Sequence, residues 1–499
     1  MNMLKCRTMF DRLEPLLPEI NRFLQNVGEV FTLEDLKNSI GLKNFDDYTL
    51  GTFLIAASIA YFFPEPDSDD GVWISKHGFF TGREFCVQIS DTENEMGIFI
   101  PGSRFLPFLP ADKYAHEAKL FYEGKEIPKK KTYLSFDRIS SFYFLYTESD
   151  LSNVLCEDYE ENVETFSRLH DSFNPEAHFA VSAWDFSEVF NECCFNYPRR
   201  FFVRIKDWSN AEFEILKESY ELLEDDISNW FDLFETAVRS SLKILPMDSA
   251  AQEILSFAYF LAEDALFNKN AAPMELFFEK NDIFGVVPYG IEEKFWVLDE
   301  PIKNPKSWFD YPYNESKEGN FFYSINRPVT EAVIDCFVLN FLSENYMARF
   351  DDEVKGLFIK ETLDLFIPKF ISDYKTASSK CKTYLEKHYD YWVNLYNPFQ
   401  DDTSKELRSD LTAFYTNLVL LFNEIDEKKL KTSDFDGQSA LMIYQIFDKI
   451  FQWSEFVSSI ESEDYSFIEV ISMSLDNLYY VYTDLKVEIR NKISALTKK

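Results

Sequence analysis

The residues of this chain that could do chemistry are few, and their spacing decides more than their number. Five histidines occur: His77, His116, His170, His178 and His388. None falls in an H-E-x-x-H pattern, and no G-x-S-x-G, G-x-x-x-x-G-K-[ST] or G-x-G-x-x-G segment is present, so metalloprotease, esterase and nucleotide-binding chemistry lose their usual sequence support. The set His170, His178, Cys193 and Cys194 offers two imidazoles and two thiolates, which suit zinc. Adjacent cysteines rarely both ligate one tetrahedral ion, and the sequence reads better as two surface histidines and two small buried thiols. No metal or cofactor is expected. Carboxylates cluster at Asp67–Asp70, Glu157–Glu161, Glu224–Asp226 and Asp401–Asp402, without the spacing of a calcium loop. They read as solvated faces and acidic helix starts.

The cations stand out because they run against the whole. The chain carries 86 acidic and 50 basic side chains, a net charge of −36. Such a field repels polyanions, since phosphate neutralisation supplies most non-specific nucleic-acid affinity. Within a β-patterned stretch, however, Lys129, Lys130 and Lys131 are followed later by Arg199, Arg200, Arg204 and Lys206, with Phe202 and Trp208 interleaved. Basic strands carrying stacking rings are how small β-folds hold single strands, so these nine residues form a candidate nucleic-acid site. Alternation in RFFVRI also fits a half-buried strand with a polar outer face.

The elements that would position these residues fall into four parts. Residues 1–90 show three helical patterns and then strands. Thr32 is a good N-cap for Leu33–Ile40, Gly41 stops that helix, and the apolar run Leu50–Phe63 reads as one buried helix. At about 14 residues it is too short to span a membrane. The runs Val72–Ser75 and Phe79–Val87 read as two short strands. This order, with FTLEDLKNSIGL at the place of the second helix, resembles a winged-helix module. DNA-binding members of that family carry a basic third helix. Leu50–Phe63 has no charge, so the resemblance implies contact with protein or simple packing.

Residues 91–216 predict a β-rich small barrel or sandwich, with Arg200–Ile205 and Ala211–Leu216 paired about a Ser209-Asn210 turn. Residues 217–328 predict helices followed by an irregular segment rich in Pro and aromatics, and residues 329–499 a helical bundle with a break at Pro368. The expected fold class is α+β and multidomain. With 46% hydrophobic residues the chain can fill packed cores, while only 14 glycines leave little material for flexible linkers. Seven scattered cysteines and a charged start without a secretory pattern predict a cytoplasmic protein. The function these features predict is non-enzymatic: an interaction or regulatory protein with a protein partner and no membrane association. The alternative is a nucleic-acid-associated regulator using the basic-aromatic strands.

Overall fold

The computed structural model describes residues 12–64, 71–171, 177–192, 200–216, 223–245, 249–309, 316–397, 402–459 and 465–496. The fold is mixed α+β: 62% of the described residues are helical, and the several small sheets among them are not closed. Two compact units emerge. Of the described residues, one unit holds those up to Val287 together with Glu293–Glu300, and the other holds Pro288–Glu292 and those from Pro301 onward. Among the described residues, no helix is long and apolar enough to cross a membrane.

The first unit opens with helices α1 (Leu17–Asn26), α2 (Leu33–Ile40) and α3 (Asp47–Ala56), with strand β1 (Val30–Phe31) between the first two. Thr32 caps α2 in a capping box with Asp35, and Gly41 ends the helix at φ +78°. Strands β2 (Ala60–Pro64) and β3 (Gly71–Ser75) follow, giving an antiparallel sheet ordered β1-β3-β2. The apolar run Leu50–Phe63 is therefore not one helix. Ser58 takes a positive φ of 51°, ending α3, and the aromatic-rich AYFFP continues as a strand. An apolar run without polar punctuation carries no periodicity to tell helix from strand. The stretch expected as two strands around His77-Gly78 is likewise β3, a helical turn Lys76–Phe80 and strand β4 (Glu84–Gln88), which joins a different sheet.

Inside this module the ring of Trp73 lies so close to α3 that a Cβ on Gly51 would stand 2.8 Å from it. Leu36, Leu50, Leu54 and Phe31 complete the core. The opposite face of the sheet docks on helix α5 (Ala251–Ala262), which pairs with α4 (Glu224–Ile244). Tyr61 stacks on Phe260 with centroids 4.3 Å apart, and its hydroxyl lies 2.6 Å from Ser256 Oγ.

Beyond β4, strands β5 (Ile98–Phe99), β6 (Lys119–Tyr122), β7 (Lys125–Glu126), β8 (Lys129–Ser135), β9 (His178–Asp185), β10 (Arg200–Asp207) and β11 (Glu212–Leu216) form two open sheets. One is ordered β4-β10-β11-β6-β7 with a parallel β11–β6 pair, the other β5-β9-β8. The β10–β11 hairpin appears as its alternation predicts, with Val203 opposite Ile215 and Ile205 opposite Phe213. A closed barrel does not form. The Pro- and aromatic-rich segment is more regular than its composition suggests: it holds helix α6 (Met274–Lys280), strands β12 (Phe284–Tyr289) and β13 (Glu292–Val297), and helix α7 (Lys317–Ser324).

The second unit is helical. Helices α8 (Glu331–Glu344), α9 (Asp352–Phe366), α10 (Tyr374–Leu395), α11 (Asp402–Glu427), α12 (Gly437–Ser459) and α13 (Tyr465–Leu496) pack around one apolar core. Helix α8 touches α9, α10, α11 and α12. The chain breaks between α9 and α10 around Pro368, where the missing N–H ends the helix. A fully buried Arg327 locks this region. Its Nε donates to Phe366 O at 3.0 Å, and its terminal nitrogens reach Asn423 and Asp426 on α11. The tip residues Gly290 and Ile291 donate their backbone N–H groups to Gln438 and Gln445 of α12 at 2.7 and 2.8 Å.

Candidate interaction surface

The basic strands lie in different sheets. Lys129, Lys130 and Lys131 lie on β8 in the three-stranded sheet, whereas Arg200, Arg204 and Lys206 lie on β10 in the five-stranded one. Arg199 lies outside the described residues. Most of these cations have an acidic neighbour. Arg204 pairs with Glu84 at 2.7 Å and approaches Glu214, and Lys206 lies 3.9 Å from Glu212. Lys130 faces Asp185, and Lys131 meets Glu161. Lys129 donates to the His116 carbonyl, and Arg200 to Gln88 Oε1.

The two rings are buried as well. Phe202 is 5% and Trp208 4% exposed, so neither can stack on a base without leaving the core. Phe202 shares a strand face with Arg200 and Arg204, as alternation requires, yet Arg204 stays partly exposed while Phe202 itself is buried. Its cross-strand neighbour is Cys86 on β4, and α6 packs over β4, where Glu275 accepts from the Gln88 N–H at 2.7 Å. Trp208 stacks on Phe80.

Of the zinc-type set, Cys193, Cys194 and the His170 side chain lie outside the described residues, and His178 opens strand β9. Among the described residues, no group of three or more His, Cys, Asp or Glu side chains is placed to hold a metal ion. Burial pushes the Cys336 thiol up to about 12 and raises Cys86 and Cys381 further, which keeps them protonated and unreactive. His77 meets Ser209 Oγ at 2.9 Å, but Asp207 approaches the same ring nitrogen at 3.7 Å. A relay needs the nucleophilic hydroxyl and the orienting carboxylate on opposite nitrogens of the imidazole base, so this trio does not form one.

Two buried charge clusters went unread in the sequence. Arg104 sits between Glu93, at 3.2 Å, and Glu275, at 4.0 Å, while its guanidinium lies 4.6 Å from the centre of the Phe99 ring. Burial raises the Glu275 carboxyl above its ordinary range despite Arg104, and its Oε2 has no hydrogen-bond partner among the described residues. In the helical unit His388 Nδ1 meets Asp335 at 2.6 Å, and the same oxygen accepts from Trp392 Nε1. Spacing of four on α8 (Glu331, Asp335) and on α10 (His388, Trp392) is the one sequence signal that could have grouped them.

One apolar face open to a partner is the outer face of α3. Tyr48 is 66% and Ile55 59% exposed, one face of the helix at spacing i, i+7, with the partly exposed Thr52 between them. On β2, Phe62 and Phe63 are also exposed. Asp46 caps the helix by accepting from the Thr49 N–H at 2.8 Å, and Lys37 of α2 is already paired with Asp47. The helix sequence DYTLGTFLIA contains no Lys or Arg.

No family profile, curated protein or solved structure matches this chain. An apolar helix face with carboxylates at its start cannot neutralise phosphates, but it can bury against an apolar or basic protein surface.

Proposed function

We propose that the chain is a non-enzymatic interaction or regulatory protein of the cytoplasm, and that its N-terminal part is a winged-helix-like module turned to protein contact. The observation that carries this reading is the exposed Tyr48–Ile55 face of α3, acidic at its start and free of Lys and Arg. Three features of the module support the family likeness: the order α1-β1-α2-α3-β2-β3, the sheet order β1-β3-β2, and the antiparallel pairing of its strands. In a DNA-reading module the third helix offers cations and hydrogen-bonding side chains to the groove. Here it offers an aromatic ring and an aliphatic side chain, the residue types enriched in protein interfaces. Free thiols at Cys86, Cys156, Cys336 and Cys381 support a reducing compartment.

The reading is tested by placing a photo-crosslinking phenylalanine analogue at position 48 and irradiating the full chain in cell extract. A discrete protein adduct that disappears in an Ile55→Glu background supports it. Adducts to nucleic acid, or the same adducts with and without Ile55→Glu, overturn it.

A further inference from the structure

The last helix has two apolar faces, and the core uses only one. Ile471, Leu475, Leu478, Tyr482, Leu485 and Ile489 of α13 are buried among the other helices. With about 100° between successive residues, Met473, Tyr480 and Val487 fall on the opposite side. All three are exposed, Tyr480 by 75%. They recur every seven residues over about 21 Å of helix, and Val470, Asn477 and Asp484 lie beside them in the same register. That is the pattern of one strand of a coiled coil, with polar residues at two seam positions.

The rim of this stripe is acidic. Asp476 and Glu488 are exposed beside it on α13 itself, and Asp484 lies within it. On the α11 side, the Asp410 carboxyl is raised by its partial burial and by the neighbouring carboxylates Glu406 and Asp476. Two of the nearby cations are engaged elsewhere: Arg490 pairs with Glu424, and Lys486 lies over the Tyr482 ring. A second copy of this chain would set acidic rim against acidic rim and bring Asp484 to a shared seam, at a net charge of −36 per chain. A helix with Lys or Arg flanking its apolar seam instead satisfies both features.

We propose that the outer face of α13 is a docking seam for a basic amphipathic helix of a partner protein. The seam is independent of the α3 face. Two fluorescein-labelled synthetic helices of four heptads test it on the full chain. Both carry Leu at the seam, one with Lys and the other with Glu at the flanking positions, and anisotropy is read at 0.15 M salt. The Lys helix binds, the Glu helix does not, and Tyr480→Glu or Asp484→Lys each weakens binding at least tenfold. Tyr48→Glu leaves binding unchanged, which separates this seam from the α3 proposal. Circular dichroism melts confirm that the variants remain folded. The proposal fails if the Lys helix does not bind or if Tyr480→Glu binds it as well as the parent chain does. It also fails if light scattering shows a dimer that Tyr480→Glu dissolves.

Discussion

Lys76 donates from Nζ to Glu253 Oε2 at 2.8 Å, joining the start of a helical turn after β3 to helix α5. The lysine is buried, its ammonium lies 4.4 Å from the centre of the Tyr61 ring, and Ser58 Oγ accepts from it at 2.6 Å. Burial lowers the Lys76 pKa against the pull of Glu253. Breaking a buried pair from one side strands the other charge. Glu253 is partly exposed, which reduces the cost. Lys76→Met should therefore destabilise the chain by about 2 kcal/mol. Adding Glu253→Gln should recover about half of that, a coupling that a urea double-mutant cycle measures directly.

Gly51 supplies a second test of the same module. A Cβ there would press on the Trp73 ring, so Gly51→Ala should cost about 1–3 kcal/mol although alanine favours helices. Tyr48→Glu, one turn earlier but facing outward, should change stability by no more than about 0.5 kcal/mol. Thermal melts of the two variants side by side check both values.

Phe202 separates a core role from a ligand-stacking role. Because the ring is buried beneath the α6 side of β4, Phe202→Ala should lower stability by about 3–5 kcal/mol in urea titrations. Arg204→Ala, which gives up only partly exposed ion pairs, should cost less than about 1 kcal/mol.

These residues also mark how far the sequence could be read. The β10–β11 register, the Thr32 cap, the Gly41 stop and the break at Pro368 are local signals, written within a few residues of where they act. The surroundings of Phe202 are not local: its cross-strand neighbour is Cys86, 116 positions away, and Glu275, which holds Gln88 of that same strand, lies 187 positions from it. The neutralisation of Arg204 likewise comes from Glu84, 120 positions away. Alternation along β10 correctly places Arg200, Phe202 and Arg204 on one face, but it cannot say that Phe202 is buried there while Arg204 stays partly exposed. The run Leu50–Phe63 misleads for a different reason: every position is apolar or small, so period 2 and period 3.6 look alike.

Glu275 gives a pH-dependent expectation. Its carboxyl is raised by burial above the ordinary value of 4.5, so the folded chain binds that proton more tightly than the unfolded chain does. Between 4.5 and the raised value, the folded state holds more protons and stability falls as pH rises. Glu275→Gln keeps an acceptor for the Gln88 N–H while removing the charge. Relative to the parent chain, the variant should show no gain at pH 4, a gain that grows as pH rises above 4.5, and a plateau once the pH passes the raised value. Urea midpoints across that range check the sign, and a constant difference would contradict it.

The central claim is that the exposed face of α3 meets protein and not nucleic acid. The most direct measurement is photo-crosslinking from position 48 of the full chain in cell extract, with nuclease and protease treatment of the adducts. The expected result is a protease-sensitive, nuclease-resistant adduct of discrete mass that is lost with Ile55→Glu. A nuclease-sensitive adduct, or one indifferent to Ile55→Glu, would contradict the claim.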